Sequence, residues 1–226
     1  MSDPPPTDFL EALAHAFKKP LLPVRTAAEE LRMTAADPNS QRMGEIIFRQ
    51  VEHMERMVGA LLDLSLLEQG RLQMTHSNVE LLRVIELAVE ECRPALESKG
   101  QRLTVNMPEH ALRIQGDELR LVQIVRSLLD NAVKFTPDGG SIHLSIAGVG
   151  SQAQIQVQDT GCGLTPTALA RIFEPFVPAS TDEAETGIGV SLNITRHLVE
   201  LHHGTISAAS AGPGQGSQFC VSLPVL

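Results

Sequence analysis

The stretch Ser127-Leu-Leu-Asp-Asn-Ala-Val-Lys-Phe-Thr-Pro-Asp-Gly-Gly140 decides the fold of this chain. Asn131 and Lys134 lie three residues apart in it, so they project from one face of a helix. Their amide and ammonium suit a metal-bound polyphosphate, and a solvated surface pair is the alternative. The Pro-Asp-Gly-Gly run predicts a turn. Apolar residues at helical spacing predict a buried stripe formed by Leu121, Ile124, Val125, Leu128, Leu129 and Ala132.

The composition is that of an ordinary globular protein. The chain has 226 residues, 42% hydrophobic and 20% charged, which is enough for one or two domains. Its net charge of -9 argues against nucleic acid or an anionic membrane as a partner. Cys92, Cys162 and Cys220 are too few and too scattered for a disulfide framework or a zinc site, which predicts a reducing cytoplasm. No apolar run reaches the roughly 20 residues that span a bilayer, and the first residues do not form a signal peptide.

The N-terminal part predicts an antiparallel helical hairpin over residues 8–70, after a disordered start at 1–7. The first helix runs from 8 to about 36, and Ser40 is expected to cap a second helix that reaches about Gln69. Gly70 ends the hairpin. Heptad spacing in the second helix predicts packing against further helices, which a homodimeric four-helix bundle supplies. The apolar stripes are Leu10, Leu13, Phe17, Val24, Ala27, Ala28 and Leu31 in the first helix, and Ile47, Val51, Met54, Val58 and Leu61 in the second.

His15 lies in the first predicted helix, within Ala-His-Ala-Phe-Lys-Lys-Pro-Leu. It falls between the apolar residues Leu13 and Phe17, so we expect it to face solvent. Pro20 withholds an N–H from the carbonyl four residues earlier, which predicts a kink one turn after the histidine. On these local grounds a solvated histidine and a functional one are both open.

From about residue 71 the pattern changes to mixed helices and strands. Residues 71–79 read as a strand or linker, and residues 141–147 and 154–158 alternate as an antiparallel hairpin does. The pattern predicts an α+β fold with a two-layer sandwich, over residues 79–226 after a linker at 71–78. Helices are expected at 81–98, 118–134 and 192–203, and the other strands at 101–106, 112–114, 205–209 and 218–223.

Two glycine-bearing segments in this region can serve a ligand. Asp159-Thr-Gly-Cys-Gly-Leu164 follows a strand; its carboxylate can accept a hydrogen bond from an exocyclic amine, and its glycines let backbone approach a flat ligand. The alternative is an ordinary glycine-rich turn with an Asx hydrogen bond. The thiol of Cys162, inside this turn, is expected to be unreactive. Thr186-Gly-Ile-Gly-Val-Ser191 opens a helix whose N–H groups can face phosphate. Between the two lie Phe173-Glu-Pro-Phe176 and a polar stretch, 177–185, with the composition of a mobile lid.

Taken in order, these segments resemble the conserved boxes of the sensor histidine kinases. Asn131-Ala-Val-Lys-Phe-Thr resembles their N box, Asp159 to Gly163 the G1 box, Phe173 to Phe176 the F box and Gly187-Ile-Gly189 the G2 box. Upstream, Leu13-Ala-His-Ala-Phe-Lys-Lys-Pro-Leu resembles the H box of the dimerising hairpin. The resemblance covers residues from about 8 to 223 and implies the ATP-binding sandwich that these kinases share with gyrase, the Hsp90 chaperones and MutL, which is the GHKL or Bergerat fold.

The resemblance implies roles in the binding of ATP and Mg²⁺. Asn131 is expected to ligate Mg²⁺, and Lys134 to meet the phosphates. Asp159 is expected to bind the adenine amino group, with Gly161 and Gly163 shaping the base pocket.

The resemblance also implies a phosphoacceptor and further nucleotide-binding residues. His15 is the expected phosphoacceptor, from which phosphate passes to an aspartate of a response-regulator receiver domain. Gly187 and Gly189 are expected along the phosphates, and Phe173 of the F box among the nucleotide-binding residues. The expected protein is a cytoplasmic homodimer without nucleic acid or a membrane segment.

Four residues depart from the pattern of the family. Ala16 replaces the acidic residue that usually follows the phosphoacceptor. That acidic residue acts as a general base, which accelerates the reaction roughly 10²- to 10⁴-fold. Lys19 replaces the Thr or Asn of members that also dephosphorylate their partner. Ser127 stands where the N box usually begins with Asn, and we expect it to weaken the metal and water network around the γ-phosphate. Ser191 replaces the third glycine of the G2 box.

These departures leave three functions open. The first is an ATP-dependent protein-histidine kinase that phosphorylates His15. The second is a degenerate kinase that binds nucleotide and docks a receiver domain or another kinase without turnover. The third is a phosphotransfer protein that receives phosphate on His15 from elsewhere.

Overall fold

The computed structural model describes residues 7–108, 110–177 and 189–226; for residues 7–15 and Lys18 it describes the backbone alone. The chain forms two compact units, one up to Leu72 and one from Gln73 onward. Within the described residues, no helix is both long and apolar enough to cross a membrane.

The first unit is a helical hairpin of α1 (Thr7–Thr34) and α2 (Pro38–Glu68). Leu21 of α1 packs with Val51 and Val58 of α2 in a small core, and the partly buried Leu62 adds to it. Near the connecting turn the helices approach closely at Gly44, where an added Cβ would lie 2.7 Å from the backbone nitrogen of Arg32. Apolar spacing and one glycine together therefore set how the two helices pack.

The connecting turn differs from the prediction, because Asp37 and not Ser40 caps α2. The Asp37 carboxylate accepts hydrogen bonds from the N–H groups of Asn39 (3.0 Å) and Ser40 (2.9 Å). Pro38 then occupies the first helical turn, where its missing N–H costs nothing and its fixed φ favours the helix. Helix α1 itself runs through Pro20 and Pro23.

The predicted stripe of α1 is only partly correct. Ala28 is buried, but Phe17 and Val24 are 51% and 44% exposed, and the buried Leu21 was not in the predicted stripe. In α2 the heptad positions divide in the same way, since Val51 and Val58 are buried while Ile47 and Met54 are each 39% exposed. Both helices of the hairpin therefore leave part of their apolar stripes exposed.

The second unit is a two-layer α+β sandwich, as predicted. Its five-stranded sheet has the order β2-β4-β5-β7-β6, with β2 parallel to β4 and the other neighbours antiparallel. A separate antiparallel pair, β1 with β3, lies beside the sheet. The strands are β1 (Ser77–Glu80), β2 (Arg102–Asn106), β3 (Arg113–Gly116), β4 (Ser141–Val149), β5 (Gln152–Asp159), β6 (Thr205–Ala209) and β7 (Gln218–Pro224).

The helices of this unit supply the other layer of the core. They are α3 (Leu81–Ser98), α4 (Glu118–Phe135), α5 (Pro166–Arg171) and α6 (Ser191–Leu201). The short α5, which Thr165 caps, was not predicted. The predicted stripe of α4 is confirmed, because all six of its residues are at most 3% exposed. They pack within a core to which the sheet contributes Ile142, Leu144, Ile155, Val157, Val221 and Leu223.

Helix α4 is fixed at both ends by polar contacts. At its start, the Asp117 carboxylate accepts from the N–H of Arg120 (3.2 Å) and from that of Thr75 (2.9 Å), in the segment that enters the unit. At its end, the Lys99 ammonium donates to the carbonyl oxygens of Val133 and Lys134, at 3.0 and 3.2 Å. Capping at both termini places the residues of the last turn of α4 accurately.

Candidate functional site

The second unit contains a cavity of about 90 Å³ at one end of its helical layer, and the cavity opens to solvent. Its lining mixes apolar side chains with a few polar groups, as the linings of small-molecule sites do. The lining residues are Asn131, Lys134, Phe135, Asp159, Cys162, Gly163, Leu164, Ile172, Val177, Gly189, Ser191, Leu192, Ser217 and Phe219. Predicted site residues from three separate segments of the sequence therefore meet in one place.

Asp159, at the end of β5, supplies a fixed carboxylate to the cavity. It is 5% exposed, and its Oδ1 accepts from the N–H groups of Gly161 (2.8 Å) and Ser217 (3.2 Å). The Ser217 hydroxyl donates to Oδ2 at 2.5 Å. Three donors hold the carboxylate in one orientation, and the oxygens keep capacity to accept one bond more.

The glycines beside Asp159 are required by close backbone approaches. Gly163 has φ of +66°, and an added Cβ would collide with the carbonyl oxygen of Gly212. A Cβ on Gly161 would collide with the carbonyl oxygen of Phe135, which also accepts the Cys162 N–H at 3.1 Å. This contact holds the glycine-rich turn against the end of α4.

Asn131 and Lys134 line the cavity together, as their spacing predicts. The Asn131 Nδ2 is buried and has no hydrogen-bond partner among the residues that the structure describes. The Lys134 ammonium lies 5.0 Å from the centre of the Phe135 ring. A buried amide group that lacks a partner destabilises the fold unless a ligand supplies the missing hydrogen bond.

The N-terminus of α6 forms another side of the cavity. Gly189, Ser191 and Leu192 line it, and no side chain of the described residues caps the helix there. Gly189 has φ of +72°, its carbonyl accepts the Phe176 N–H at 3.0 Å, and a Cβ on it would lie 2.8 Å from the Val177 carbonyl oxygen. Uncapped N–H groups and the helix dipole favour an anionic group at this end of the cavity.

Other predicted site residues lie elsewhere. Gly161 lines an adjoining open groove. Phe173 is not a lining residue; its carbonyl accepts the Asn193 Nδ2 at 3.0 Å, and its neighbour Ile172 contributes to the wall. Gly187 and most of the stretch 177–185 fall outside the described residues. For His15 the structure gives a place in α1, but its side chain is outside the described part.

Ser127, which stands where the N box usually begins with Asn, is not among the lining residues. Ser217, by contrast, was not singled out from the sequence, although it makes two hydrogen bonds to Asp159. The signal for Ser217 was the run Gly212-Pro-Gly-Gln-Gly216 directly before it, where a Cβ on Gly216 would collide with the Asp159 carbonyl oxygen.

The three cysteines are all free thiols. Burial raises the pKa of Cys92 to about 12, and the nearby Asp130 carboxylate adds to this. Cys92 is therefore a neutral core residue at physiological pH. Cys162 is exposed and lines the cavity.

The residues fit a nucleotide with a bound metal ion. The described residues contain no group of three or more His, Cys, Asp or Glu side chains that could hold a metal. A cation would therefore depend on phosphate oxygens together with the Asn131 amide oxygen, a mode that Mg²⁺ favours. The glycine-rich turn and the fixed Asp159 carboxylate are suited to the base of such a ligand. The N-terminus of α6 is suited to its phosphates.

Two family models match the chain. Residues 7–70 match the His Kinase A (phospho-acceptor) domain. Residues 116–226 match the histidine kinase-, DNA gyrase B- and HSP90-like ATPase family. The two matches fall in the two structural units.

Curated relatives and solved structures agree with these matches. An adaptive-response sensory kinase SasA of Crocosphaera subtropica is 33% identical over 96% of this chain and 58% of its own length. The alginate biosynthesis sensor protein KinB of Pseudomonas aeruginosa is 29% identical over 97% of this chain and 37% of its own. The crystal structure of full-length ShkA with AMPPNP aligns with a TM-score of 0.75 and 27% identity, over 96% of this chain and 46% of that one. The chain thus spans little more than half the length of the first of these relatives.

Proposed function

Because the chain belongs to the sensor histidine kinases, of which it forms a transmitter core, we propose that it is an ATP-dependent protein-histidine kinase of a two-component system. The observation that carries the proposal is the meeting of Asn131, Lys134, Asp159, Gly163 and Gly189 around one cavity. Carboxylate, amide, ammonium and helix N-terminus match the parts of a metal-bound nucleotide.

The carboxylate of Asp159 accepts a hydrogen bond from the adenine amino group in this proposal. Ser217 and the Gly161 N–H hold the carboxylate in place, and Gly163 lets the backbone lie against the base. Leu164, Ile172 and Phe219 provide apolar surface for the ring. The base therefore binds where β5 ends and β7 begins.

The phosphates belong at the opposite side, between α4 and α6. Lys134 donates to phosphate oxygens, Asn131 offers its amide oxygen to Mg²⁺, and Gly187 and Gly189 lie along the phosphate chain. When bound, the metal ion neutralises the charge on the phosphate oxygens. The groups of this chain orient the γ-phosphate.

His15 is the proposed phosphoacceptor. One imidazole nitrogen forms a bond to the γ-phosphorus as the bond from phosphorus to the ADP oxygen breaks, and ADP leaves. The phosphoryl group then passes to an aspartate of a receiver domain, with His15 restored. With Ala16 after the histidine, the chain has no carboxylate at the position from which the family usually supplies the base.

We further propose that the hairpin dimerises and that the protein works in the cytoplasm. Ile47 and Met54 of α2 are each 39% exposed, whereas the intervening Val51 is 1% exposed. A second hairpin covers such residues in a four-helix bundle. The compartment follows from the three free cysteines.

The test is incubation of the protein with Mg²⁺ and γ-labelled ATP, beside His15→Ala. We expect acid-labile label on the wild type and none on the variant. ATP binding without any label would reject the kinase and favour the second function, a degenerate kinase that docks a receiver domain or another kinase. Labelling by another phosphorylated protein, but not by ATP, would favour a phosphotransfer protein.

The missing carboxylate gives a companion prediction. Ala16→Glu restores an acidic residue after the phosphoacceptor, so we expect autophosphorylation to rise at least about 10²-fold, the lower bound for general-base help. The rate of label incorporation at saturating ATP measures it, with Ala16→Gln as the uncharged control. An equal rise in both variants would contradict a role for the charge.

A further inference from the structure

Two hydroxyl groups join α4 to α6 beside the cavity. The Ser127 Oγ lies 2.9 Å from the Thr195 Oγ1, which lies 2.8 Å from the Ser191 carbonyl oxygen. A hydroxyl has a single proton, so both bonds form only if Ser127 donates to Thr195 and Thr195 donates to Ser191. Thr195 is 2% exposed, which shields this chain of bonds from competing water.

Each end of the pair lies one helical turn from a residue that lines the cavity. Ser127 precedes Asn131 by four positions in α4, and Thr195 follows Ser191 by four positions in α6. Residues four apart share a face of a helix. The hydroxyl pair therefore joins the two helices at the turns next to Asn131 and Ser191.

We propose that Ser127 and Thr195 are positioning residues that set the spacing between α4 and α6 at the phosphate end of the nucleotide site. The proposal rests on the function proposed above, because it concerns the same cavity. Ser127 acts through Thr195 and does not touch the ligand. The residue that departs from the N box thus has a structural partner of its own in α6.

The arrangement of the rest of the site restricts the effect to the phosphates. Asp159 and Ser217 lie at β5 and β7, and the bonds between them involve neither α4 nor α6. Loss of the hydroxyl pair therefore disturbs Asn131, Ser191 and Gly189, but leaves the base contacts in place. Affinity for ATP should change while affinity for adenosine does not.

The experiment measures the Kd of Mg-ATP and of adenosine by calorimetry, with the full chain, for Ser127→Ala, Thr195→Val and the double variant. A neutral hydrogen bond of ordinary strength corresponds to about 2- to 10-fold weaker ATP binding. We expect that loss in each single variant, with no change for adenosine. Because Thr195→Val already removes the bond that Ser127 makes, the double variant should be no weaker than Thr195→Val alone.

Two controls separate positioning from general support. Thr195→Ser keeps the hydroxyl and should retain ATP affinity within about 2-fold, the lower limit of the expected effect. Ser98→Ala removes a hydroxyl whose one hydrogen bond to a described residue is to the Ala95 carbonyl within α3, and should leave both affinities unchanged. Thermal unfolding of every variant reports whether the fold persists.

The measured affinities distinguish failure of the positioning role from failure of the proposed function. Equal loss of ATP and adenosine affinity, unchanged ATP affinity in Thr195→Val, or additive losses in the double variant would each overturn the positioning role and leave the nucleotide site standing. A wild type that binds neither ligand would overturn the proposed function, and the positioning role with it.

Discussion

At the scale of single residues, the site depends on positions where a side chain cannot be added. Gly163 combines a positive φ with a carbonyl oxygen directly in the path of any Cβ, and Gly216 does the same on the other side of Asp159. The two glycines let the turn after β5 and the turn before β7 pack backbone against backbone. The carboxylate between them is positioned as a result.

Gly163→Ala should therefore destabilise the second unit and weaken nucleotide binding. Gly139→Ala is the matched control, because Gly139 also has positive φ (+75°) but an added Cβ would meet nothing within 4 Å. Strain in φ costs about 1–3 kcal/mol in both variants, and only Gly163→Ala adds a collision, typically about 1–3 kcal/mol more. Urea unfolding measures the difference, and equal losses would show that the collision is relieved without cost.

At the scale of elements, a buried histidine joins three parts of the second unit. His202 follows α6, is 2% exposed, and its Nδ1 donates to the Leu198 carbonyl at 2.7 Å. Its Nε2 accepts the Asp117 N–H at 3.0 Å, at the start of α4. Asp117 in turn accepts from the Thr75 N–H, where the chain enters the unit. The ring must be neutral, with its proton on Nδ1, to make both of its bonds.

This contact makes stability depend on pH. Burial lowers the pKa of His202 below 6.5, and the nearby His76 adds to this, against the Leu198 carbonyl and the Asp117 carboxylate, which raise it. Between the folded and the unfolded pKa values the unfolded chain binds a proton that the folded chain does not. The stability that the neutral ring contributes is therefore fully present above the pKa of the unfolded chain. It is lost as the pH falls below about 6.5.

We expect the urea midpoint of the second unit to fall between pH 7.5 and 5.5, in part through His202. In His202→Gln the fall should be shallower, although the variant is less stable at pH 7.5. The exposed His143 provides the control, and His143→Gln should keep the slope of the wild type. The same slope in all three proteins would mean that His202 does not titrate between these values.

The hairpin offers a second test at this scale, in two glycines of α2. Gly44→Ala places a Cβ 2.7 Å from the Arg32 nitrogen and 3.1 Å from the Ala28 oxygen, so the helices must separate. Gly59→Ala meets nothing within 4 Å and gains helix propensity. We expect a loss of about 1–3 kcal/mol for the first and a gain of about 0.5–1 kcal/mol for the second. Thermal unfolding measures both, and stabilisation by Gly44→Ala would contradict the close packing.

At the scale of the whole molecule, the chain consists of two units with different tasks. The proposed phosphoacceptor belongs to the helical hairpin, and the nucleotide cavity to the sandwich. All of the described residues that line the cavity come from the second unit. Ligand binding should therefore stabilise that unit directly.

A thermal scan tests this division. Mg-ATP at about 100 times its Kd adds roughly 2.7 kcal/mol to the unit that binds it, which corresponds to a rise in Tm of about 5–10 °C for a domain of this size. Only the transition of the sandwich should move, and Gly44→Ala should shift only that of the hairpin. Movement of both transitions with both changes would show that the units unfold together.

The sequence by itself determined the class of fold, most element boundaries and the chemistry of the site. Helical spacing in α4 and alternation in β4 and β5 are local properties, because each depends on which face of one element is buried. The spacing of Asn131 and Lys134 on a single helix has the same origin. The order of the motifs along the chain then assigned Asp159 and Gly189 to the same predicted site as Asn131 and Lys134.

Only the tertiary structure decided which residues meet. It gave Asp159 its partner Ser217, from the far end of the chain, and it gave Ser127 its partner Thr195 in α6. It also buried Leu21 in the hairpin and left Phe17 open. Such pairings depend on how elements distant in sequence pack together, and no local pattern of residue types contains that information.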